Sequence, residues 1–134
     1  MKMILCLTVL VSALSASAQV PAHLLNAIHK TETGGKLGAI KGDNGAALGP
    51  FQIHKAYWQD ATEFDKSIGG TYADCANYNY SVRIVNAYMA RYAKKYLASG
   101  DFESVSRIHN GGPQGHKKSA TLPYWEKVKQ NLHP

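Results

Sequence analysis

Apolar positions recur at three- and four-residue intervals through most of this chain, and that rhythm predicts helices. Leu24, Leu25 and Ile28 mark the first, over about Pro21 to Thr33, with Glu32 four residues beyond Ile28 on the same apolar side. Gly34-Gly35 stops it. The longest periodic run, about Tyr80 to Leu97, puts Ile84, Val85, Tyr88, Met89, Tyr92 and Tyr96 on one face. Arg83, Arg91, Lys94 and Lys95 lie mostly off that face, so the run reads as the central helix and its aromatic stripe as core. Asp101 is a good N-cap for a helix that buries Phe102, Val105 and Ile108 and breaks at His109-Asn110-Gly111-Gly112-Pro113. A last helix starts near Thr121-Leu122-Pro123 and turns Tyr124, Val128 and Leu132 inward.

The helical rhythm fails between Gly34 and Gly49. That stretch is rich in glycine, and Gly42-Asp43-Asn44-Gly45 is a hairpin-type turn signal, the one place for a small β-hairpin. Pro50 then predicts the opening of a short helix carrying Phe51, Ile53, Tyr57 and Trp58. The segment from Phe64 to Asn77 has little periodicity and reads as loop. The expected class is α+β, mostly helical: one domain with a small hairpin, without internal repeat or low-complexity linker.

Composition adds a compartment. A chain of 134 residues with 45% hydrophobic content suits one domain with a real core. Lys2 precedes the apolar run Ile4 to Leu14, and Ala16-Ser17-Ala18 follows as a small-x-small cleavage site. Residues 1–18 therefore read as a secretory signal peptide, and 19–134 as the exported domain. Cys6 leaves with the leader, so Cys75 remains without an intramolecular partner and is expected to be a buried apolar filler. The net charge of +6 accompanies no nucleic-acid motif. In an exported protein it points to anionic bacterial wall or membrane surfaces.

Glu32 and Asp43 are the candidate chemistry. Glu32 falls in the last turn of a helix, at the negative end of its dipole and beside apolar residues, and both disfavour an ionised carboxylate. Asp43 falls in a turn rich in backbone N–H groups, which favour one. A protonated acid and an ionised partner held close together are what cleavage of a glycosidic bond requires. The plain alternative is a solvated glutamate at a helix end followed by an ordinary turn. The six histidines, at 23, 29, 54, 109, 116 and 133, form no i,i+4 pair and no HExxH, so no metal or other cofactor is expected. Cys75 lacks the flanking signature of a nucleophile.

IHKTETGG at 28–35, GDNGAALGPFQIHKAYWQD at 42–60, RIHNGGPQGHKKS at 107–119 and PYW at 123–125 stand in the order and spacing of invertebrate-type lysozymes, the destabilase family. The chain resembles that family over nearly all of its length after the leader. The resemblance implies a lysozyme-like fold, with Glu32 as general acid and Asp43 as the second catalytic carboxylate. Their division of labour is borrowed from lysozymes of another type, and the resemblance implies retention of configuration. Gln52, His54, Tyr57, Trp58 and Asp60 follow Asp43 closely, and aromatic, amide and carboxylate groups suit sugar rings and their hydroxyl and acetamido substituents. The match to the family's HNGGP motif adds His109, Asn110 and Gly111 to the expected substrate-binding set.

Two departures stand out. Family members are usually rich in disulfides and this chain is not; the interval between the carboxylates is also a residue shorter than in typical relatives. The implied activity is that of a secreted muramidase cutting the β-1,4 link between N-acetylmuramic acid and N-acetylglucosamine in peptidoglycan. It would act as a monomer, without nucleic acid or stable membrane insertion. The competing readings are the isopeptidase activity linked to some relatives and a wall-binding protein without turnover.

Overall fold

In the computed structural model, which describes residues 19–133, the first helix, α1 (Ala22–Thr33), stops where the sequence says it should. Gly34 takes the left-handed conformation, φ 69°, and its N–H closes on Lys30 O at 2.9 Å. The leader read over positions 1–18 lies outside the described residues.

Three two-residue strands follow: β1 (Lys41–Gly42), β2 (Ala47–Leu48) and β3 (Ile53–His54). They form an antiparallel sheet in that order, with Lys41 opposite Leu48 and Ala47 opposite His54. The β1–β2 connection is the expected hairpin, and Asp43 and Asn44 in it both have positive φ, 48° and 56°. Asp and Asn tolerate that conformation better than other side chains.

The third strand corrects the sequence reading. Phe51 and Ile53 are not on a helix, because residues Gly49 to Gln52 form a turn in which Gln52 N–H bonds Gly49 O. Gln52 has φ 50°, and the reversal sends Ile53–His54 back along β2. The helix, α2 (Lys55–Phe64), opens only afterwards and carries Tyr57 and Trp58.

The long helix is broken as well. It runs as α3 (Tyr78–Tyr92), pauses at Ala93 with φ −132°, and resumes as α4 (Lys94–Ser99). No proline or glycine marks the break. Packing of α4 against α5 (Phe102–Gly111) overrides a continuous periodic pattern. α5 itself runs through His109, Asn110 and Gly111 and ends at Gly112, so the expected break comes at the end of HNGG. Asp101 accepts a bond from Ser104 N–H, as its N-cap role requires. The last helix, α6 (Leu122–Leu132), lies along α1.

The core draws Leu24 and Ile28 from α1, Phe51 and Ile53 from the sheet region, Ile84, Val85 and Met89 from α3, Ile108 from α5 and Val128 from α6. Each such side chain contributes about 1.5–3 kcal/mol when fully buried. Cys75 sits inside the same core with no exposed surface, as expected of an apolar filler. Among the described residues no helix is long and apolar enough to cross a membrane.

Candidate active site

A cleft of about 510 Å³ separates the small sheet from the helical body. One wall is made by the C-terminal end of α1, the end of α5 and the start of α6; Glu32, His109 and Tyr124 meet there. The helix end fixes Glu32, and its side chain is only 16% exposed. Tyr124 O–H donates to Glu32 Oε1 at 2.9 Å, and His109 Nε2 stands 3.4 Å from the same oxygen. His109 Nε2 is also 3.1 Å from Phe51 O, an acceptor, so the proton belongs on Nε2. Nδ1 then accepts from Tyr57 O–H at 3.0 Å. Burial, reinforced by Tyr88 and the Glu32 charge, pushes the Tyr57 hydroxyl above its usual range. Burial and Glu32 do the same to Tyr124, so both tyrosines hold their protons and can donate. Tyr57 stacks on Tyr88 with centroids 3.6 Å apart, which anchors the far end of this chain of bonds in the core.

The opposite wall is built differently. Asp43 sits on the exposed β1–β2 turn with its side chain 71% exposed, and His54 Nε2 lies 2.8 Å from its Oδ2. The turn is held from below by Gln52, whose Nε2 donates to Ile40 O and Gly49 O, both at 3.0 Å. Gln52 Oε1 occupies the space beneath Gly42, where any β-carbon would overlap it. One side chain thus clamps both ends of the hairpin, and its left-handed backbone is strain carried by that clamp.

Of the residues expected from sequence, Glu32, Asp43, Gln52, His54, Tyr57, Asp60, His109 and Asn110 all line this cleft. Two stand outside it. Trp58 faces the other side of α2, where its Nε1 donates to Tyr80 O–H at 2.9 Å and Tyr80 in turn binds Gly69 O. That indole braces the irregular segment before α3. Gly111 packs against Thr121, whose Cγ2 leaves no room for a β-carbon. Gln52 lines the cleft but commits its amide nitrogen to the fold, and Asp60 accepts from Tyr92 O–H at 3.2 Å. Sequence reasoning missed Tyr124 as a site residue by reading it as core; the PYW motif was the signal that could have found it. It also missed Lys127, which brings a positive charge to the cleft.

Cys75 takes no part. Burial, with Asp74 adding to it, pushes its thiol up to about 12, so it has neither access nor thiolate character. Among the described residues no serine or cysteine lines the cleft.

The chain is similar to known proteins over most of its length. The family model described as Destabilase matches residues 21–131. A lysozyme of Ostrea edulis is 36% identical over 90% of this chain and 88% of its own length. Lysozyme 1 of Crassostrea virginica is 40% identical over 84% of this chain, which spans 60% of that longer relative. Among solved structures, Tapes japonica lysozyme superposes with a TM-score of 0.69 at 34% identity, covering 82% of this chain and 89% of its own.

Proposed function

The chain belongs to the destabilase family, and from that premise we propose that it is a secreted muramidase, cutting the β-1,4 bond between N-acetylmuramic acid and N-acetylglucosamine in bacterial peptidoglycan. The observation that carries the reading is the pairing of a nearly buried carboxyl, Glu32, with an exposed one, Asp43, in a single cleft. Glu32 serves as general acid. Tyr124 aims its carboxyl, and the partial burial of that side chain limits competition from bulk water as a proton passes to the departing glycosidic oxygen. Asp43 acts on the other side, attacking the anomeric carbon or steadying its positive charge, with His54 fixing the carboxylate's direction.

Retention of configuration is the finer reading. It calls for carboxyl groups about 5–5.5 Å apart during reaction, and proton NMR of the first-formed anomer tests it. The basic character of the chain, +6 overall, favours an anionic wall as partner, and the leader read at 1–18 gives export and use against bacteria, in defence or digestion. The domain 19–134 carries the activity as a monomer. A turbidity assay on bacterial walls, run beside sedimentation of the protein with the same walls, tests the function. Clearing supports the muramidase, whereas binding without clearing would mean a wall-binding protein. A protein that cut isopeptide bonds instead would release no reducing sugar. The cleft offers that reading no serine or cysteine nucleophile.

A further inference from the structure

A second concavity, about 380 Å³, lies between the α3–α4 break and the turn Gly115–Lys117. Arg91, Lys95, His116 and Lys117 line it beside Tyr92 and Tyr96, and among the described residues no carboxylate does. The pause at Ala93 seats this arrangement. It interrupts the helix before α4, and Tyr96 stands with its ring 5.1 Å from that of His116. Lys95 Nζ sits 5.0 Å over the Tyr96 ring, and among the described residues neither Lys95 nor Lys117 has an acidic partner. Arg91 is more committed, with Nη1 on Asp60 O at 3.0 Å and 3.7 Å from Glu63. The local field is positive enough to act on His116. Burial lowers its pKa first, and Lys117, Lys95 and Arg107 lower it further against a smaller opposing pull from Asp101. Pro113 lines both this groove and the catalytic cleft, so the two adjoin at that residue.

Scattered surface lysines are ordinarily solvated and need no ligand. Here the cations converge in a concavity, lack carboxylate neighbours in it, and share a rim with the cleft. We infer that the groove is an anion-binding extension of the cleft, holding oxyanions borne by the same bacterial wall polymer whose sugar chain lies between Glu32 and Asp43. The inference rests on the muramidase reading. The oxyanions are carboxylates of the peptide stems or phosphodiesters of attached wall polymers, and several weak charge contacts along one polymer reinforce one another.

The test is the double variant Lys95→Glu/Lys117→Glu, both exposed positions outside the cleft lining. Its melting temperature is checked against the unaltered protein, and Lys95→Gln/Lys117→Gln stands in if the reversal perturbs the fold. Two quantities are read: affinity for intact walls by sedimentation at low ionic strength, and turnover of an uncharged β-1,4-linked N-acetylglucosamine oligomer. Wall affinity is expected to fall about tenfold, with a flatter dependence on salt, and oligomer turnover to stay within about twofold. Wall affinity within about twofold of the unaltered protein overturns the inference. If the unaltered protein cleaves neither walls nor oligomer, the muramidase reading fails, and the affinity comparison still decides the groove. Walls stripped of phosphodiester polymers identify the source. A deficit that vanishes on them assigns the phosphodiesters, and one that persists assigns the stem carboxylates.

Discussion

Glu32 and Asp43 reach the same cleft from walls of different construction. On the helical wall, three helix ends bring Glu32, His109 and Tyr124 together, and buried hydrogen bonds run from Tyr57 through His109 to the acid's neighbourhood. On the sheet wall, Asp43 rides a left-handed turn in water, steadied by one histidine and one glutamine clamp. On the proposed mechanism the difference is chemical as well as architectural. A proton donor needs a dry, directed setting so that its proton goes to the leaving oxygen. A group that meets developing positive charge must keep its own charge and reach the sugar. Two carboxylates on identical walls would have no reason to divide those roles.

The largest effects should come from removing either carboxylate. Glu32→Gln should fold, sediment with walls and lose about 10²–10⁴-fold in lytic rate, the range general acid catalysis supplies. Asp43→Asn should keep its turn, since Asn tolerates the same backbone, and lose lysis to a similar degree. If Asp43→Asn stays active while Asp60→Asn, the other aspartate lining the cleft, fails, the sheet wall has been assigned the wrong carboxylate. Tyr124→Phe strips the donor from Glu32 while leaving the ring. Turnover on walls should drop about tenfold with wall affinity unchanged, which a purely structural tyrosine would not produce.

On the sheet wall, Gln52→Ala removes the clamp and leaves Ile40 O and Gly49 O without that donor. A loss of about 1–2 kcal/mol in unfolding free energy, seen by urea denaturation, is expected, with a larger fall in kcat than the stability change alone explains. The helical wall has its own sensitivity, at high pH. Burial raises Tyr57 and Tyr124 above their unfolded value of about 10, so the stability they contribute is intact below that pH. It is lost as pH rises through their folded values. Alkaline unfolding should therefore shift to higher pH in Tyr57→Phe and Tyr124→Phe, as followed by circular dichroism. The smallest effect concerns Cys75, held up to about 12 in the core. Reducing agent should leave the melting temperature unchanged, and thiol reagents should react only after unfolding.

How much of this was legible in the sequence differs between the walls. The helical wall was written in local signals: apolar spacing from Leu24 to Glu32, the Gly34 stop, and the Asp101 cap. Each acts within a turn or two of its own position, so pattern reading found them. What it could not find were contacts across long stretches of chain, such as Tyr124 to Glu32, which periodicity reports only as an inward-facing residue. The sheet wall was half legible. The Gly42–Gly45 turn announced the hairpin, but β3 depends on Gln52 holding a strained backbone through bonds to the Ile40 and Gly49 carbonyls, the first twelve residues away, and a helical reading from Pro50 was the natural error. The break at Ala93 and the turning of Trp58 away from the cleft are likewise products of packing, without local signature.

The division of labour itself is tested most directly by changing the leaving group. An aryl β-chitobioside with an acidic phenol departs without needing a proton, whereas a sugar leaving group needs one. Kinetics of Glu32→Gln and Asp43→Asn on both substrates should separate the walls. Glu32→Gln should lose at least a hundredfold on walls and recover to within about tenfold of the unaltered enzyme on the activated glycoside, while Asp43→Asn fails on both. Equal impairment of Glu32→Gln on the two substrates would contradict its role as proton donor, and with it the contrast between the walls.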